Sequence, residues 1–206
     1  MSPTADIRPG DRGTGDPDVD RFAAAVAAHA TGDAREDRSR TLILDQLRTL
    51  ARPFDRHAAP THVTASAVVV GVRGVLLHRH RRLHRWLQPG GHLDPGERPE
   101  DGARRECEEE TGLSAEHPTA GAVLVHVDVH GSADGHVHLD ARYLLLGPDA
   151  DPSPPPGESQ EVSWFTWDRA MDVGDEALVG ALSATRRLIA TGAVEIPGGT
   201  PEESNG

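Results

Sequence analysis

A chain of 206 residues can bury one good hydrophobic core and still carry extensions beyond it. Its formal net charge of −12 argues against nonspecific binding to a nucleic-acid polymer through a basic surface, and a single cysteine permits no internal disulfide. No apolar run approaches the roughly 18 residues of a membrane span, and no signal-peptide hydrophobic region opens the chain, so the expectation is a cytoplasmic protein that does not engage a membrane.

Residues 1–17 carry Asp, Gly, Pro and Thr without hydrophobic period, the composition of a disordered N-terminus. Residues 18–30 (DVDRFAAAVAAHA) and 35–51 (REDRSRTLILDQLRTLA) both read as helices. The second places Leu42, Leu44, Leu47 and Leu50 near helical spacing before Pro53 stops it. Residues 18–59 are thus a helical extension, expected to pack on the following domain or on a partner subunit. From His62 the period changes: HVTASAVVVG, a turn at 71–74 and VLLHRH form a strand pair rich in β-branched residues.

The segment RRLHRWLQPGGH delivers the chain into GHLDPGERPEDGARRECEEETGL, residues 91–113. Pro99, Glu100 and Asp101 suit the first turn of a helix, where the ring fixes φ and acidic groups meet the positive end of the dipole. Gly112 suits a left-handed C-terminal cap, so the helix is expected over 99–111. Within it Glu106, Glu109 and Glu110 share one face at i, i+3 and i+4, where they repel one another. A solvated acidic face is the bland explanation. Hard oxygen donors on a rigid element instead suit Mg²⁺ or Mn²⁺, and the flanking glycines, Glu97 and Arg105 favour that account. Ala103 and Cys107 form the opposite stripe, with Cys107 a core thiol.

Downstream, residues 120–130 and 136–146 flank a GSADG link suited to a hairpin. Strand alternation puts His126, Asp128 and His130 on one face, and His136, His138 and Asp140 on one face of the partner strand. Substrate recognition, a second metal site built on H-x-H-x-D and a solvated sheet face all fit that pattern. Residues 149–157 form a Pro-rich loop, 175–191 a helix with Leu178, Leu182, Thr185, Leu188 and Ile189 on one stripe, and 193–206 a mobile tail.

The spacing Gly91, Glu97, Arg105, Glu106, Cys107, Glu109, Glu110, Gly112, Leu113 fits G-x5-E-x7-R-E-U-x-E-E-x-G-U, with U apolar, at every position. It resembles the Nudix box of the Nudix hydrolases, as does W-x-x-P-G-G at residues 86–91. The resemblance implies an α/β/α sandwich with a mixed central β-sheet over residues 60–192, preceded by the N-terminal helical extension. It implies hydrolysis of a diphosphate linkage in a small molecule, very often a nucleoside diphosphate joined to another moiety, with Mg²⁺ or Mn²⁺ as cofactor and a homodimer as a common assembly. Transferred residue by residue, Glu106, Glu109 and Glu110 hold metal together with a carbonyl of Gly90 or Gly91, and Glu97 and Arg105 pair to brace the loop.

Glu106, Glu109 or Glu161 would serve as base, with Glu158 the second choice near the final strand. Arg142 joins His126, Asp128, His136, His138 and Asp140 as candidate substrate-binding residues. A noncatalytic nucleotide sensor, or an enzyme for an isoprenoid or sugar diphosphate, remains compatible with the same box.

Overall fold

The computed structural model describes residues 15–132 and 134–196. The expected disordered stretch lies outside the described residues up to position 14, after which Asp16 accepts amide hydrogen bonds as the N-cap of α1 (Pro17–Ala28). Helix α2 (Ala34–Leu47), capped by Asp33, stops four residues short of the expected end, and Leu42 is exposed. Its buried stripe is Glu36, Ser39, Ile43 and Leu47, because i+3 and i+4 steps from Glu36 turn Leu42 outward.

The remaining elements are β1 (Thr61–Gly71), β2 (Gly74–Arg79), β3 (Trp86–Leu87), β4 (Gly90–His92), α3 (Pro99–Thr111), β5 (Val123–Gly131), β6 (Val137–Leu146), β7 (Val162–Phe165), α4 (Trp167–Val173) and α5 (Glu176–Ala190). The bounds of α3 are those expected from its Pro start and Gly stop. Gly112 adopts φ +69°, and a Cβ there would collide with the carbonyl of Ser153. Helix α4 is an addition that seven residues without a marked stripe do not announce. Of the tail expected over 193–206, residues 197–206 lie outside the described residues; Val194 is buried and Ile196 packs beside it.

The strands form one seven-stranded mixed sheet in the order β3-β2-β1-β6-β5, with β4 added to β1 and β7 to β2. The pairing of β1 with β6 is parallel and the others are antiparallel. Strand β1 is central and buried along almost its whole length. Its residues Val63, Ala65, Ala67 and Val69 join one core cluster with Ala103 and Cys107 of α3 and Val19, Phe22, Val26, Ile43 and Leu47 of the N-terminal helices. Val68 and Val70 join the opposite cluster with Leu178, Ala181 and Leu182 of α5. The sheet is therefore clad on both sides, and the extension contributes to the same core as the box helix. Among the described residues no helix is long and apolar enough to cross a membrane.

Strand β5 is an edge, where unpaired backbone groups need cover. Glu36 of α2 supplies it: its Oε1 accepts the amide of Val127 at 3.2 Å and meets His29 Nε2 at 2.7 Å, while Oε2 accepts the amide of Gly32. Desolvation alone would raise this carboxyl, but the bonds from His29 and Gly32 hold it below the ordinary value.

A second buried network lies across β1, β6 and β5. Asp140 accepts Thr64 Oγ1 at 3.1 Å, Ser66 Oγ at 2.9 Å and Arg142 Nε at 2.9 Å. Arg142 also faces Asp128 at 3.5 Å, and Asp128 pairs with Arg35 of α2 at 2.8 Å and His130 at 3.2 Å. Burial would raise Asp128, yet His130, Arg142 and Arg35 hold it at about 2 against an ordinary 3.8. A depressed carboxyl stabilises the fold fully above its unfolded value and loses that contribution as pH falls through the folded one. Denaturant titrations should therefore show a loss of stability between pH 4 and 2 to which Asp128 contributes, and Asp128→Asn should cost on the order of 3 kcal/mol at neutral pH while removing that contribution. Glu36→Ala should lower stability by roughly 2 kcal/mol and speed amide exchange at Val127, read by hydrogen-exchange mass spectrometry.

Candidate functional site

The convergence point is the approach of α3 to β4. Ala103 and Cys107 seat α3 on the sheet, with the Cys107 thiol pushed up to about 12 by burial, which leaves it an inert core group. The opposite face presents the glutamates. Glu110 Oε2 accepts the amide of Gly90 at 2.9 Å, and a Cβ added to Gly91 would stand 2.5 Å from Glu106 Oε1. Only glycine at position 91 lets the strand backbone and the Glu106 carboxylate approach so closely.

Arg105 braces the assembly. Its Nε donates to Glu97 Oε1 at 2.9 Å and its Nη2 to Glu97 Oε2 at 2.9 Å and to the carbonyl of His92 at 2.8 Å. Its Nη1 reaches Glu106 and Glu109, each at 2.9 Å. Desolvation opposes ionisation of Glu97, but the Arg105 bonds and the Asp94 amide hold its carboxyl below the ordinary value. The pairing of Glu97 with Arg105 expected from the sequence is thus present as a two-oxygen fork.

Burial pushes Glu110 up to about 8, opposed by the Gly90 amide and reinforced by Glu106, Glu158 and Glu109. Glu106 is also raised, first by burial, against the pull of Arg105. Two half-hidden carboxylates with costly charge, beside a backbone segment they almost touch, are a fitting donor set for a hard divalent cation. Glu109 is the open member, with its side chain 57% exposed.

The later carboxylates separate. Glu161 is 60% exposed and bound to Arg79 at 3.0 Å, whereas the charge of Glu158 is felt by Glu110. Glu158 and Glu161 line a groove of about 370 Å³ with Arg79, His80, Arg81 and His84. His78, just before that stretch, faces Glu110 at 3.6 Å.

The two strand faces of the hairpin do coincide, since Asp128 lies opposite Asp140, His130 opposite His138 and His126 opposite Arg142. They do not form an open surface. His126, Asp128, Asp140 and Arg142 are at most 4% exposed and, apart from His126, are bonded within the network described above. His126 packs beneath α5, where a Cβ on Gly180 would stand 2.8 Å from its Nε2, and desolvation first and Arg142 second hold it at about 4. Of the six expected residues, His136 and His138 keep partial exposure. They lie near two histidines that sequence reasoning did not place in a site, His62 of β1 and His92 of β4. Only the parallel pairing of His62 with His138 and the pairing of His92 with Thr64 reveal that proximity.

A family model described as NUDIX domain matches residues 60–181. A Mycobacterium tuberculosis protein that carries the name 8-oxo-dGTP diphosphatase 3 is 36% identical over 137 residues, which cover 62% of this chain and 58% of that protein. The chain therefore spans little more than half the length of that relative. The asymmetrical bis(5'-nucleosyl)-tetraphosphatase of Caenorhabditis elegans is 30% identical over 112 residues, covering 52% of this chain and 78% of the relative. A solved NUDIX-family hydrolase from Clostridium perfringens superposes with a TM-score of 0.52 and 27% identity, over 62% of this chain and 97% of that one. The matched residues run from the start of β1 into α5 and carry every member of the glutamate platform, so the chain belongs to the NUDIX family.

Proposed function

We propose that this protein hydrolyses a diphosphate bond in a nucleoside diphosphate joined to another moiety, by attack of water on phosphorus. The observation that supports it most is the convergence of the half-buried Glu106 and Glu110 on the Gly90–Gly91 backbone, with Glu109 open beside them. A Mg²⁺ or Mn²⁺ ion bound by these carboxylates and a glycine carbonyl would neutralise diphosphate oxygens and acidify an attacking water.

The chain's own groups supply the rest. Arg105 fixes Glu97, Glu106 and Glu109 in one arrangement, so the platform does not have to reorganise around its ligand. Glu109 is the exposed carboxylate of the platform and the one we assign to accept the proton of water. The groove bearing Arg79, His80, Arg81 and His84 offers cationic and imidazole donors suited to a polyphosphate chain, with Glu158 joining groove and platform electrostatically. The names of both relatives concern nucleoside polyphosphates, which favours a nucleotide over a prenyl or sugar diphosphate.

A panel of nucleoside triphosphates, ADP-ribose, dinucleoside polyphosphates and prenyl diphosphates with Mg²⁺ and with Mn²⁺ tests this reading. Turnover is expected among the nucleotides and absent with metal chelated. Glu109→Gln and Glu110→Gln should each lower kcat on the order of 10²- to 10³-fold with unchanged circular dichroism. Retained turnover in both variants would refute the catalytic role of the platform.

A further inference from the structure

Three imidazoles gather where β1, β4 and β6 run side by side. The ring centroids of His62 and His92 are 5.1 Å apart, those of His62 and His138 5.2 Å, and those of His92 and His138 5.1 Å, a nearly equilateral triangle. One ring nitrogen from each lies within 4.8 Å of the other two. The Nε2 atoms of all three are buried and have no hydrogen-bond partner, and His62 has no exposed surface at all. Buried polar atoms are ordinarily paired, and three unpaired imidazole nitrogens this close together are a fitting donor set for a bound ligand.

We propose that His62, His92 and His138 bind a transition-metal cation of the zinc class, at a site separate in residues and chemistry from the glutamate platform. Imidazole nitrogen suits zinc, copper or nickel, whereas the all-oxygen donors of Glu106, Glu109 and Glu110 suit magnesium or manganese. Around a tetrahedral zinc, nitrogens at about 2.0 Å from the ion stand roughly 3.3 Å apart, so side-chain rotations of about 1 Å close the triangle. The fourth position is left for water.

The outer contacts fix the tautomers of two of the three rings. His62 Nδ1 meets the carbonyl of Ala59 at 3.2 Å; a carbonyl only accepts, so Nδ1 carries the proton and Nε2 presents its lone pair. At His92 the arrangement is reversed. Arg56 Nη1 donates to Nδ1 at 2.9 Å, which leaves the proton on Nε2. Arg56 is only half-buried; its withdrawal would let His92 move the proton to Nδ1 and open Nε2 to the metal, while also removing a positive charge from the site. The ion would tie the beginnings of β1 and β6 to the residue that follows Gly91, and so clamp the loop entering α3. Asp140, two residues beyond His138, supplies nearby negative charge.

The test uses the full chain, stripped of metal by chelation and then saturated with Mg²⁺. Titration with Zn²⁺ should find one tight equivalent that raises Tm, and Co²⁺ should give the visible absorption of a tetrahedral nitrogen site. The double variant His92→Gln, His138→Gln should weaken Zn²⁺ binding by more than the roughly 10- to 100-fold that loss of an outer partner produces, and should abolish both the Tm shift and the Co²⁺ spectrum. Arg56→Ala should tighten binding. Glu109→Gln, Glu110→Gln should retain the Zn²⁺ equivalent, which separates this site from the catalytic reading. No bound Zn²⁺ in the Mg²⁺-saturated wild type, equal binding by the histidine variant, or loss of binding in the glutamate variant would overturn the proposal.

Discussion

Stripping a carboxylate of water costs several kcal/mol unless something repays the loss, and α3 is built so that two carboxylates are stripped together. Everything around Glu106 and Glu110 follows from that constraint. Ala103 and Cys107 must be small enough to bring the helix against the sheet, residue 91 must lack a side chain for Glu106 to meet the strand backbone, and residue 90 must lack one to lie against Ala65 and Ser66 of β1. Arg105 must reach four acceptors at once to keep the like charges in place. Even the glycine at 112 matters, since a side chain there would strike the carbonyl of Ser153. The stretch is therefore a single mechanical unit.

The same sheet solves a different polar problem a few residues away. The N-terminal half of β1 sends His62, Thr64 and Ser66 to the face where its C-terminal half sends Val68 and Val70. Beneath the polar half, Asp140, Arg142 and Asp128 neutralise one another and engage Thr64, Ser66, His130 and Arg35. One face of one sheet is thus apolar under α5 and ionic further along. Burial of the ionic part is tolerated because Asp140 makes three separate hydrogen bonds rather than one.

The box helix was legible in the sequence to the residue because its signals are local: a proline start, a glycine stop and charges at i, i+3 and i+4. Which residues share a face on each hairpin strand was legible for the same reason, as alternation on either side of a short link. What the sequence could not disclose is long-range. The H-x-H-x-D-x-R strand has the same letters whether its side chains face solvent, substrate or the interior, and the parallel partner supplying Thr64 and Ser66 lies more than seventy residues earlier. His62 and His92 escaped notice because nothing local marks them; only strand pairing brings them to His138. In α2 the leucines misled, since the helix buries a glutamate and a serine on its inner stripe and leaves Leu42 outside.

Glu36 carries a consequence for where this molecule can be cut and how it can assemble. By bonding the amide of Val127, it acts as a one-residue substitute for the strand that β5 lacks. The match to the family model starts at residue 60, but the physical unit does not, since a fragment beginning there would bare both that amide and the apolar surface under Phe22 and Ile43. A second copy arriving edge to edge would find the Val127 amide on this side of the sheet already taken. Joining by strand addition at the opposite margin would meet β7, which pairs β2 on the side away from β1.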